Sequence, residues 1–194
     1  LSNKNARIAK NTFILYVRMI FVLLVSLYST RAILNALGVE DYGIYNVVAG
    51  FVSLFAFLNS SMTNTIQRFF NYERGRNDAN SLNKVYITSF QIQFLLGIIT
   101  FVLLEIVGVW YISTKMILPV ERLSAAMCVF HFSVISLFLL ILQIPYAAAV
   151  IAHEKMTFYA IVSITDAVLK LLIAIVLPYI HYDRLIYYGF LMLV

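Results

Sequence analysis

Long apolar runs, each carrying a few charges that lipid does not tolerate, constrain this chain more than any other feature. They cover residues 13–34, 43–66, 85–111, 123–151 and 157–180. A helix rises about 1.5 Å per residue, so about 20 apolar residues cross a hydrocarbon core about 30 Å thick. Lipid offers the backbone no hydrogen-bonding partner, which makes the helix the expected conformation of every run. Arg18, Arg31, Glu105, Asp166 and Lys170 interrupt these runs. Each is costly in hydrocarbon and is a functional candidate for that reason.

Composition points the same way. The 194 residues are 62% hydrophobic and 12% charged, more apolar surface than a soluble domain of this length can hide. The expected class is an all-α polytopic transmembrane helix bundle in a single domain, residues 1–194. The net charge of +5 is not concentrated on any nucleic-acid-binding motif, so no nucleic-acid partner is expected. Cys128 is the one cysteine; it cannot close an internal disulfide and has no metal-ligand spacing around it. It reads as a small buried apolar residue.

Loop charges set an expected orientation. Lys4, Arg7 and Lys10 precede the first run, Arg68, Arg74, Arg76 and Lys84 follow the second, and His153 and Lys155 follow the fourth. The other loops are mixed or acidic, with Glu40, Asp41, Lys115, Glu121, Arg122, Asp183 and Arg184. The positive-inside rule then places the N-terminus in the cytoplasm. Arg18 interrupts the first run and further spans follow it, so that run is a retained helix and not a cleaved signal. Gly38 with Glu40 to Gly43 predicts a tight external turn, and residues 71–84 a polar cytoplasmic loop. Trp110 and Tyr111 mark the outer end of the third span. From Leu185 to Val194 a helix would rise only about 15 Å, so a sixth span cut short is expected there.

Several side chains are candidates for chemistry. Arg18 and Arg31 stand about 20 Å apart along the first helix; they read either as snorkelling anchors or as guanidinium groups facing a cavity. On the second helix Asn46, Ser53, Ser60, Asn64, Gln67 and Asn71 fall within roughly 40° of one line, with Arg68 beside them. Such a stripe either packs on another helix or lines water, and Asn64 and Gln67 with Arg68 favour water. Glu105 either reaches the outer headgroups or pairs with Arg31. His131 reads as hydrogen-bonded to a neighbour, and Pro145 predicts a kink. Asp166 and Lys170 are four apart in the favourable order for a helical ion pair. That pair is either structural or a proton- or substrate-sensitive site. No phosphate loop, nucleophile elbow or metalloprotease motif is present, so no catalytic residue and no metal ligand is assigned.

The stretch Leu34-Asn35-Ala36-Leu37-Gly38-Val39-Glu40-Asp41-Tyr42-Gly43-Ile44-Tyr45-Asn46-Val47-Val48 resembles the first external turn of bacterial polysaccharide-biosynthesis flippases. Gln67-Arg68-Phe69-Phe70 with Glu73 and Gly75 is similar to the end of their second helix. Gln143-Ile144-Pro145-Tyr146 and Ile151-Ala152-His153-Glu154-Lys155-Met156 are similar to their fourth-to-fifth junction. These proteins belong to the multidrug/oligosaccharidyl-lipid/polysaccharide (MOP) superfamily. The resemblance implies the N-terminal lobe of a MATE-like, two-lobed MOP fold working by alternating access. It implies an O-antigen-type cargo, an undecaprenyl-diphosphate-linked oligosaccharide, moved across the bacterial inner membrane. Arg18, Arg31, Asn64, Gln67, Arg68 and Lys170 would line the cavity. Asp166 and Glu105 would couple transport to H+ or Na+, and no other cofactor is implied. The implied partners are membrane lipids, a C-terminal lobe, and glycan polymerases or glycosyltransferases. A cation-coupled drug exporter of the same superfamily is the alternative; its cargo would call for acidic cavity residues, whereas here buried basic residues outnumber acidic ones.

Overall fold

The computed structural model describes residues 2–76 and 79–193. Among them the chain is all-α. Six helices follow one another: α1 (Ser2–Ser53), α2 (Phe57–Gly75), α3 (Ala79–Thr114), α4 (Leu123–Ala152), α5 (Met156–Val176) and α6 (Arg184–Leu191). Short 3-10 turns lie at Leu54–Ala56, Val120–Arg122 and Leu177–Tyr179. Among the described residues four stretches are helical, long and apolar enough to cross a membrane: Ala9–Ser53, Asn80–Thr114, Val120–Ala152 and Met156–Tyr179.

α1 is two arms rather than one rod. Gly38 has φ 80° and ψ 169°, a backbone region closed to residues with a Cβ, so the helix breaks there. The arms reverse direction at this point. Before it, Arg18 lies over Tyr159 near the start of α5. After it, Asp41 meets Arg122 at the start of α4, and Arg74 at the end of α2 meets the carbonyl of Ala152 at the end of α4. One end of the bundle therefore gathers the Gly38 turn, residues 115–122 and residues 178–184. The other gathers the start of α1, the end of α2 with the start of α3, and the α4–α5 turn.

The structure departs from the sequence expectation at two places. The stretch 43–66 is not one helix: it is shared among the second arm of α1, the 3-10 turn at Leu54–Ala56 and the more polar α2. Most of the stretch 71–84 is helical and not a loop. α2 continues to Gly75 and α3 starts at Ala79, with residues 77 and 78 outside the described chain. A helix satisfies its own backbone in water as well as in lipid, so a polar helix end leaves no apolar signature.

α4 is the central element and packs against α1, α2, α3 and α6. It buries Ala126, Val129, Phe130, Val134, Leu137, Ile141, Ile144 and Ala148, a three-and-four spacing that turns one broad face inward. Pro145 is buried, and α4 runs as one helix through it to Ala152. α3 answers with Gln93, Gly97, Thr100, Leu104 and Gly108. The glycines let α4 come close: Phe138 lies over Gly97 and Phe130 over Gly108. α5 packs on α1 through Ala160, Ala167 and Ala174, a small-residue seam of the kind that joins helices in lipid.

Candidate functional site

The polar line predicted on the second span is present and faces outward. Asn46, Ser53, Ser60, Asn64 and Asn71 are exposed and Gln67 is half-buried, while Val48, Val52, Ile66 and Phe70 on the reverse face enter the core. The smaller polar groups bond back to their own helix. Asn46 Nδ2 donates to the Tyr42 carbonyl at 2.7 Å, Ser53 Oγ to Gly50 at 2.8 Å and Ser60 Oγ to Phe57 at 3.2 Å. Asn64, Gln67 and Arg68 make no hydrogen bond or ion pair among the described residues. They carry donors and acceptors that lipid cannot satisfy.

The stripe ends in a cleft of about 580 Å³. Gln67, Asn71 and Arg74 of α2 line one wall, and Ala152, Glu154 and Met156 the other. Arg74 donates to the Ala152 carbonyl, one of the acceptors the end of α4 leaves unpaired, and so ties the two helix ends together. Beside this cleft is a second groove of about 750 Å³ between α1 and the α4–α5 junction, and the two share Ile151 and Met156. Arg18 lies in this groove, its guanidinium carbon 4.6 Å from the centre of the Tyr159 ring.

The other predicted residues lie apart from these grooves. Arg31 is exposed, with no partner among the described residues. Thirteen steps of about 100° place it roughly 140° around the helix from Arg18, so one cavity cannot receive both. Lys170 Nζ binds Asp166 Oδ2 at 2.9 Å, the expected helical pair, but the side chains are 48% and 60% exposed on the outer surface of α5. Glu105 does not reach Arg31; it contacts Nδ1 of His131 on α4 at 3.0 Å. Among the described residues no group of three His, Cys, Asp or Glu side chains is arranged to hold a metal ion.

Sequence reasoning missed the ionic clasp at the Gly38 end. Arg122 binds Asp41 at 3.1 Å and Asp183 at 3.0 Å. The other oxygen of Asp183 caps α6 by accepting from the Leu185 amide at 3.1 Å. Arg184 donates to the carbonyls of Ala36 and Pro178, each at 3.1 Å. Asp41 is buried at this end of the bundle. The clasp joins three loops far apart in the chain. Only the Asp183 cap, an aspartate just before an apolar helical run, left a local signal.

No family model, curated protein or solved structure matches the chain.

Proposed function

We propose that this chain is one lobe of a bacterial inner-membrane carrier that moves a lipid-linked, diphosphate-bearing oligosaccharide by alternating access. The observation that carries the reading is the outward stripe of α2, where Asn64, Gln67 and Arg68 are unpartnered on a helix whose reverse face is buried. A glycan and its phosphates cannot cross hydrocarbon without a polar path. Amides exchange hydrogen bonds with sugar hydroxyls, and a guanidinium holds phosphate oxygens in pairs. The apolar tail would stay in the bilayer beside the stripe. A second lobe facing α2 would close the path.

In this reading the end with Lys10, Arg74, Arg76, Lys84, His153 and Lys155 faces the cytoplasm. Asp166 with Lys170, and Glu105 with His131, supply the ionisable pairs for coupling to H+ or Na+. Protonating Asp166 would release Lys170 to bind an anion.

The test uses the protein at its normal level in cells, with the lipid-linked glycan counted on the cytoplasmic face after depletion. Build-up there is the expected result. Arg68→Gln should fail to relieve it, as should Asp166→Asn and Lys170→Met taken singly. Unchanged glycan distribution after depletion overturns the carrier reading. Full relief by all three variants would remove these residues from the path.

A further inference from the structure

The groove beside Arg18 has a chemistry of its own. Leu15, Met19, Val22, Leu23 and Leu27 form its α1 wall, one face of the helix running about 18 Å, close to the depth of one leaflet. Ile151 and Met156 close the other side next to the α4–α5 turn, and Ser26 and Tyr159 are the remaining polar side chains. Among the described residues Arg18 is the one charged residue in the lining. It sits toward the turn, where headgroups lie, and the apolar trough runs from it toward the bilayer centre.

Arg18 is also unsatisfied. Its Nε is buried with no acceptor, and the residue has no hydrogen bond or ion pair among the described residues beyond its stacking on Tyr159. A cation held in a poorly solvated groove without a counter-charge is unfavourable. A phosphate oxygen pair matches the guanidinium fork and supplies that charge.

We propose that this groove holds one anionic bilayer phospholipid, with its phosphate on Arg18 and one acyl chain in the α1 trough. A free anion would leave the apolar walls uncovered. Among the described residues no acidic side chain lines the groove to receive a choline or ethanolamine amine, which favours an anionic headgroup over a zwitterionic one. The site would anchor the lobe at a fixed depth and order the α4–α5 turn against α1. It stands independently of the carrier reading, because its ligand belongs to the bilayer and not to the cargo.

The test needs no glycan and no polyprenyl lipid. The protein is reconstituted in phosphatidylcholine vesicles with a minor share of phosphatidylglycerol, extracted in mild detergent, and its retained lipids are counted by native mass spectrometry. Phosphatidylglycerol should be enriched about tenfold over its share of the bilayer, the scale set by one charge-assisted hydrogen bond. Arg18→Gln should abolish the enrichment. Leu23→Trp, at an exposed wall position, should fill the trough and expel the lipid with Arg18 in place, which keeps the test decisive if the arginine variant fails to fold. Three results overturn the proposal: no enrichment in the wild type, enrichment unchanged in Leu23→Trp, or displacement of the lipid by inorganic phosphate, which marks a free-anion site.

Discussion

Arg122→Gln is expected to destabilise the protein by about 2 kcal/mol and to loosen the Gly38 end first. The reason is the state in which it leaves Asp41. That carboxylate is 8% exposed and one of its oxygens has no partner already. Removing the guanidinium leaves a buried charge uncompensated, which costs about 3–5 kcal/mol in a closed interior and less here because Arg122 is itself about a third exposed. Asp183 loses the same partner, and with it the support that orients its cap on α6. The measurement is a denaturation series in detergent, with proteolysis at residues 115–122 reporting local opening. Asp41→Asn should restore most of the loss in the double variant, because the orphaned charge is gone. Equal loss in the single and double variants would show that the clasp acts by shape alone.

The second large effect is at Gly108. A Cβ at this position would overlap the Phe130 ring, and Phe130 is fully buried in the seam between α3 and α4. The ring has no open space to swing into, so the helices must separate. Gly108→Ala should therefore cost about 3 kcal/mol, at the upper end for overpacked cores. Phe130→Leu alone should cost about 2 kcal/mol through the space it leaves. Combined, the two should cost less than their sum, since the smaller side chain makes room for the new methyl. Strict additivity in thermal unfolding would contradict this packing.

How much of the protein was readable in its sequence follows from the range of each interaction. The apolar runs gave the all-α class because lipid permits little else. The turn at Gly38 was legible from a glycine next to polar residues, and the stripe on α2 from periodicity, although the 3-10 turn at Leu54–Ala56 crosses it. The polar ends of α2 and α3 read as a loop in the sequence because hydropathy reports burial and not helicity. Pairings across the bundle left no local mark. Glu105 finds His131, and Arg122 finds Asp41 and Asp183, only after α4 has docked. Arg18 and Arg31 are a different case, since counting steps around the helix already sets them on different faces.

The central claim is that α2 turns a wet face outward from a bundle otherwise wrapped in lipid. Single cysteines in a Cys128→Ala background test it with a water-borne thiol reagent on the protein in sealed membranes. Asn64 lies on the stripe in α2 and Ser53 on its continuation at the end of α1; Ile99 and Leu103 on α3 are also exposed on the surface of the chain. Labelling at the two stripe positions with protection at the two α3 positions is the predicted result. Equal protection at all four would mean that lipid or protein seals the stripe, and no polar path would remain for a glycan to follow.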